Sequence, residues 1–166
     1  MYNEPNADIR AVFEALRPLE GVWRGRGEGD YPTLEPFQYE ETHRFEFDSA
    51  YPIIHFIQKV VVLPDKVSHW ESGFIRILPD GRIEMNNAQD NGRLEVLRGA
   101  IVSTPKEGLR LELDSVGFAN DPRMIQSRRT ITIVADVLRY EMDMKTNLTD
   151  PPAMHRHLSA ELIRSK

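Results

Sequence analysis

From Gly21 onward the sequence alternates between apolar and polar residues, and this pattern restricts the fold more than any other feature of the chain. The alternation is cleanest over residues 136–145, where Leu138 and Tyr140 share one parity and Arg139 the other. Successive side chains of a strand point to opposite faces, so the pattern predicts strands with one buried face. The strand-like segments are 21–30, 37–47, 52–63, 67–78, 82–89, 93–104, 108–115, 127–134, 136–145 and 155–164.

The connections between these segments favour antiparallel pairing. Asp80-Gly81 and Asn91-Gly92 are two-residue hairpin signals, and no later segment has the helical spacing that a crossover between parallel strands needs. Many antiparallel strands in one small domain leave exposed edges unless the sheet closes on itself. We therefore expect an all-β fold, a ten-stranded antiparallel up-and-down β-barrel of the lipocalin or fatty-acid-binding-protein type. A filled barrel or a sandwich is the alternative.

One helical pattern precedes the strands. Residues 8–16 carry apolar side chains at helical spacing, with Asp8 suited to cap the helix and Pro18 to end it. The sequence thus predicts a single domain over residues 1–166, made of a helical lead-in over 1–20 and a barrel over 21–166.

Composition narrows the function. The chain has 166 residues, a net charge of −5 and no cysteine. The charge argues against a nucleic-acid partner, and the lack of cysteine excludes disulfides and thiolate metal ligands. No apolar segment is long enough to span a membrane, and the N-terminal residues do not form a secretory signal. We expect a cytoplasmic protein without a membrane partner.

The first strand is unusual because one of its faces consists of glycines between two aromatic residues. Gly21, Trp23, Gly25, Gly27, Gly29 and Tyr31 share this face. Glycine weakens a strand, so a row of glycines needs a reason. Either another backbone packs closely there, or the glycines leave space for a flat ligand.

Several motifs, in order, resemble those of the nitrobindin family. They are the segment 21–27 (GVWRGRG) followed by Tyr31-Pro32-Thr33, then 37–41 (FQYEE), 69–76 (HWESGFIR) and 157–160 (HLSA). Nitrobindins are β-barrel haem proteins that are also described as peroxynitrite isomerases. The resemblance extends over most of the chain after the helix.

The resemblance implies a cofactor, a site and an activity. The cofactor is haem b, with His157 as the axial ligand of its iron. Gly21, Trp23, Gly25, Gly27 and Thr33 are expected to line the haem pocket. The implied reaction is isomerisation of peroxynitrite to nitrate at ferric haem, and nitric oxide is a second implied partner.

His43 is a further candidate at the haem pocket. It shares strand parity with aromatic residues of the segment 37–47, so it is expected to point inward. There it is a hydrogen-bonding group near the haem, a side chain that occupies space the haem needs, or an ordinary core histidine bonded to a neighbour. It is also a departure from the family, which usually has an apolar residue at this position. Arg24, Arg26 and Arg44 are candidate partners for haem propionates.

The last strand carries two further expectations. His155 and His157 are two residues apart, so regular alternation places them on one side of the sheet. Leu158, Ala160 and Leu162 would then form an apolar outer face that the N-terminal helix or a partner chain covers, which makes a homodimer possible. The segment 145–154 is longer than the family's usual form, and Met154-His155-Arg156 replaces its Pro-rich approach to the ligand.

Two other functions are compatible with the residues alone. One is a haem-free, lipocalin-like carrier of an apolar small molecule, for which the glycine strand and the methionines near residue 144 are equally suitable. The other is a barrel whose apolar outer strand serves mainly as a dimer interface.

Overall fold

The computed structural model describes residues 7–64, 67–103 and 108–165, which form one closed antiparallel barrel. The strand order around the barrel is β1-β10-β9-β8-β7-β6-β5-β4-β3-β2, so each strand pairs with its neighbours in sequence. The elements are α1 (Ala7–Ala15), a 3-10 turn (Arg17–Leu19), β1 (Gly21–Gly29), β2 (Phe37–Phe47), β3 (Ile53–Val62), β4 (Val67–Ile77), β5 (Ile83–Gln89), β6 (Leu94–Ile101), β7 (Leu109–Ala119), β8 (Met124–Val134), β9 (Val137–Thr146) and β10 (Met154–Arg164). The predicted ten-stranded barrel with a short N-terminal helix is confirmed.

The two ends of the barrel differ. Helix α1 packs against one end, where Phe13 and Leu16 are buried together with Leu19. The indole nitrogen of Trp23 donates a hydrogen bond to the Leu19 carbonyl oxygen at 2.8 Å and fixes the lead-in to β1. We call this the closed end. The opposite end, which we call the mouth, is formed by the loops 30–36, 90–93, 120–123 and 147–153.

The glycine face of β1 is explained by close packing. A Cβ atom added at Gly25 would collide with the backbone of Glu161 in β10. At Gly27 it would collide with the ring of Tyr39 and with the Ser159 carbonyl oxygen of β10. The sequence left open whether the glycines allow close packing or leave space for a flat ligand. The structure shows close packing at both positions.

The prediction of which side chains of β10 point inward and which point outward is wrong. The register of β10 against β9 shifts between Arg156 and Leu158, which marks a β-bulge. A bulge inserts one extra residue and reverses the alternation beyond it. His155 is therefore exposed whereas His157 is buried.

The same bulge turns the apolar residues of β10 inward. Leu158, Ala160 and Leu162 are buried in the core instead of forming an apolar outer face. The argument for a homodimer that rested on this face is thereby removed.

A smaller difference concerns the connection between β7 and β8. The sequence predicts strands over 108–115 and 127–134, whereas β7 continues to Ala119 and β8 begins at Met124, which leaves a shorter loop between them. Within the described part of the chain, no helix is long and apolar enough to cross a membrane.

Candidate functional site

His157 is the central residue of the mouth. Its side chain is buried, and its Nδ1 donates a hydrogen bond to the carbonyl oxygen of His155 at 2.9 Å. Burial lowers the pKa of the imidazole, and the hydrogen bond to His155 only partly opposes this effect. The ring is therefore neutral at pH 7, with the proton on Nδ1 and a lone pair on Nε2. No described residue forms a hydrogen bond with Nε2.

A pocket of about 310 Å³ lies beside His157. Its apolar walls include Leu34, Met124, Met144 and Leu148, and Thr33 is also part of its lining. A second cleft, lined by Gly29, Phe37 and Arg156 among others, also reaches His157. The imidazole is thus accessible from the mouth although it is largely shielded from water.

The ring of Tyr31 packs against one side of the His157 imidazole. The rings of Tyr31 and His157 meet edge-on, with 4.8 Å between their centroids. Tyr31 also stacks on Phe37 at a centroid distance of 5.9 Å. Burial raises the pKa of the Tyr31 phenol to about 12, so the phenol is uncharged at neutral pH.

Three charged residues line another part of the same pocket. Arg93, Asp121 and Arg123 all face it. Arg123 donates hydrogen bonds from Nε and Nη2 to the two carboxylate oxygens of Asp121, at 2.8 and 2.9 Å. The pocket therefore combines apolar walls, one imidazole and a charged group.

The barrel interior below the mouth contains a buried ionic cluster centred on Arg129. Its guanidinium lies 2.7 Å from Glu71 Oε2 and 2.7 Å from Glu95 Oε2, and it donates a hydrogen bond to the Tyr140 hydroxyl at 3.0 Å. The side-chain amide of Asn87 also donates a hydrogen bond to Glu71 Oε2 at 2.6 Å. We call these residues the Arg129 cluster. Burial alone would raise the pKa of Glu71, but the charge of Arg129 outweighs it and holds that pKa well below its usual range.

A second buried pair consists of Glu41 and His43. Burial raises the pKa of Glu41 to about 8 and lowers the pKa of His43 to about 4, so both groups are uncharged at neutral pH. Gln58 donates a hydrogen bond to Glu41 Oε1 at 2.7 Å. His43 Nε2 lies 3.1 Å from the same oxygen, outside hydrogen-bond geometry.

Two other histidines, His69 and His55, have local partners. His69 lies between Asp90 and Glu71, at 2.7 and 3.2 Å. Burial opposes its charge, but these two carboxylates outweigh that effect and raise its pKa. His55 is on the outer face of β3, with Nε2 3.1 Å from the Ser72 hydroxyl.

The structure brings two of the predicted cofactor residues together, His157 and Thr33. Gly21 and Trp23 lie toward the closed end, because Trp23 pairs with Arg164 whereas Gly29 pairs with Leu158. Gly25 and Gly27 are intermediate along β1, under the groups that pack on them. His43 points inward as expected and contacts the rings of Phe45 and Tyr140. That the residues named in this paragraph contact a cofactor stays a prediction.

Sequence reasoning missed most charged residues of the interior and the mouth. Arg129 shares strand parity with Ile131 and Ile133, which are core residues of β8. A charged residue on an apolar face signals a buried ionic group, and this signal was available. Asp121 lies in a mouth loop, where the sequence shows no alternation, and Arg93 is the first residue of the predicted segment 93–104, which the structure places in the loop before β6.

His157 and the apolar residues of the pocket beside it fit a haem group. A neutral imidazole whose Nδ1 is fixed by a carbonyl oxygen is the usual axial donor to haem iron, and apolar walls suit the macrocycle. A bare metal ion needs several protein ligands. Among the residues that the structure describes, no group of three or more such side chains is present.

The fold and the site define a barrel of the haem-binding class. Comparison with known families agrees, because residues 12–164 match the model of the THAP4-like, heme-binding beta-barrel domain. The chain belongs to this family.

Relatives of known name cover nearly the whole chain. The protein named peroxynitrite isomerase Rv2717c from Arabidopsis thaliana is 39% identical over 155 residues, which are 93% of this chain and 89% of the relative. Peroxynitrite isomerase 2 of Mycobacterium marinum is 31% identical over 162 residues, 95% of this chain and 98% of the relative. The crystal structure of Rv2717c from M. tuberculosis superposes with a TM-score of 0.82 at 27% identity, covering 98% of this chain and all of that one.

Proposed function

We propose that this protein binds haem b with His157 as the axial ligand of the iron and isomerises peroxynitrite to nitrate. Membership of a haem-binding family and two relatives named peroxynitrite isomerase support the proposal. The observation that carries it is the state of His157, which is buried, neutral and fixed through Nδ1 beside a mouth pocket.

When bound, haem would supply the ferric centre at which peroxynitrite is converted into nitrate. The residue that would hold the haem iron is His157, through its Nε2, which has no hydrogen-bond partner among the described residues. The His155 carbonyl oxygen selects the tautomer and fixes the ring plane, and the Tyr31 ring limits rotation from the side. The apolar pocket walls exclude water from the imidazole, which keeps it neutral over the physiological pH range.

The experiment is a stopped-flow measurement of peroxynitrite decay, with nitrate and nitrite quantified afterwards. The haem-loaded protein is expected to accelerate decay and to raise the fraction recovered as nitrate, whereas His157→Ala is expected to do neither. His155→Ala is the matched control, because it keeps the backbone carbonyl that accepts the Nδ1 hydrogen bond. Equal rates for the native protein and His157→Ala would refute the assignment.

Nitric oxide is proposed as a second ligand of the same site. The haem-loaded protein is expected to give a nitrosyl absorption spectrum on addition of nitric oxide, and an unchanged spectrum would remove this part of the proposal.

The barrel interior argues against the alternative of an apolar carrier. Trp23, Tyr39 and Tyr140 are buried there, together with the charged Arg129 cluster. An interior with ion pairs is poorly suited to an apolar guest, because such a guest cannot replace their electrostatic partners.

A further inference from the structure

Arg93 is a buried arginine whose guanidinium group lacks a good acceptor. Its side chain is only 11% exposed. Nη1 donates to the Met124 sulfur at 3.2 Å, and a thioether is a weak acceptor. Nη1 also lies 3.6 Å from Oδ2 of Asp121, which is ion-pair distance but too long for a hydrogen bond. Nε is buried and has no hydrogen-bond partner in the described part of the chain.

Asp121 neutralises Arg93 only in part, because its carboxylate also accepts two hydrogen bonds from Arg123. Hydrogen bonds from Arg123 hold the pKa of Asp121 below its usual range, so the carboxylate is charged. Among the described residues that line the pocket, two guanidinium groups and one carboxylate leave one surplus positive charge, and Arg93 is the more buried of the two arginines. A buried charge without a partner is unfavourable, and such groups are usually paired.

The surplus charge lies at the candidate haem site. Arg93 and Arg123 line the pocket that His157 and the apolar residues also line. Among charged residues, Arg93 has the largest effect on the pKa of Tyr31, which it lowers, and the ring of Tyr31 contacts His157. The pocket thus presents an imidazole, apolar walls and a guanidinium group to one ligand.

Haem has the complementary arrangement, since its two propionate carboxylates extend from one edge of an apolar ring. A guanidinium group binds a carboxylate through two parallel hydrogen bonds. We propose that Arg93 binds a haem propionate, with Arg123 as a second cation at the rim of the mouth. The inference rests on the proposed function.

The arginines expected from the sequence are placed differently. Arg24 is exposed and donates to Ser165, Arg26 lies 3.6 Å from Glu40, and Arg44 pairs with Glu46, all on the outer surface. None of the three lines the pocket that contains His157.

The test compares haem with haem dimethyl ester, in which both carboxylates are esterified, by absorbance titration. Native protein is expected to bind haem at least tenfold more tightly than the ester. Arg93→Gln is expected to lose about tenfold or more of the affinity for haem and none for the ester. Arg93→Lys should give an intermediate loss, because it keeps the charge without the planar fork.

Arg82→Gln is the matched control, since Arg82 forms an exposed ion pair with Asp80 away from the mouth. It is expected to leave both affinities unchanged. Urea unfolding of Arg93→Gln is expected to match or exceed native stability, which separates a binding defect from misfolding.

Two results overturn the proposal. Equal losses for haem and for the ester would mean that Arg93 acts on the pocket rather than on a carboxylate. An unchanged affinity for haem would mean that the propionates bind elsewhere, or that Arg93 serves another anion. His157→Ala separates this test from the proposed function, because loss of the axial ligand weakens binding of haem and ester alike.

Discussion

The two buried arginines of the barrel, Arg129 and Arg93, differ in how they are partnered. Arg129 in the deep interior contacts two carboxylates and a tyrosine hydroxyl. Within the described part of the chain, Arg93 at the mouth has a sulfur acceptor and a carboxylate that it shares with Arg123. Since buried polar groups of stable structure are normally satisfied, the first arginine belongs to the scaffold and the second to a binding site. Changes in the interior should therefore alter stability, and changes at the mouth should alter binding.

The largest expected effect is that of Arg129→Met. Removing the guanidinium leaves Glu71 and Glu95 buried without their cation, so the free energy of unfolding should fall by about 3–5 kcal/mol. Urea denaturation followed by tryptophan fluorescence measures it. The control is Arg128→Met, next in sequence but paired on the surface with Asp114, where a loss below about 1 kcal/mol is expected. Similar values for the two variants would contradict the contrast.

Leu16→Ala tests the closed end of the barrel. Leu16 is a fully buried residue of the lead-in, and its truncation should lower the unfolding free energy by about 2–5 kcal/mol. The affinity of the folded variant for haem should be unchanged, because the site lies at the other end. Ile163→Ala, at a half-exposed position, should change stability by about 0.5 kcal/mol or less. A selective loss of haem affinity in Leu16→Ala would show that the two ends are coupled.

A smaller effect depends on pH and concerns Glu41. Burial raises its pKa to about 8 in the folded state, so between about pH 4.5 and pH 8 the folded protein retains a proton that the unfolded chain has lost. The folded state binds more protons in this window, and native stability should fall as pH rises.

Glu41→Gln should remove this fall in stability. The difference in unfolding free energy between the variant and native protein should increase by about 2 kcal/mol in favour of the variant as pH rises from 5 to 7. Glu40→Gln is the control, because Glu40 points outward beside Arg26 and should leave the pH profile as it is. Parallel profiles of native protein and Glu41→Gln would show that Glu41 titrates normally.

The strands were predictable because their signals are local. Period-two alternation and hairpin residues such as Asn91-Gly92 place most strand ends within one or two residues of those observed. The bulge between Arg156 and Leu158 was not predictable, since a one-residue slip leaves no mark in the alternation itself. The error it caused was large, because every later side chain of β10 changed face.

The site was predictable only in part. The resemblance identified His157 and Thr33, which the structure places in one pocket. Arg93 and His157 line the same pocket because distant segments of the chain fold together, and no spacing in the sequence encodes that arrangement. Cytoplasmic location and the contacts of His43 with a cofactor stay predictions.

The most direct test of the central claim is a haem titration of native protein, His157→Ala and His155→Ala, followed by Soret absorbance. Native protein and His155→Ala should each show a saturable one-to-one shift, and His157→Ala should lose it, because His157 presents a neutral, buried Nε2 beside the mouth pocket whereas the side chain of His155 is exposed. A shift that persists unchanged in His157→Ala would contradict the assignment of the axial ligand and, with it, the account of the mouth.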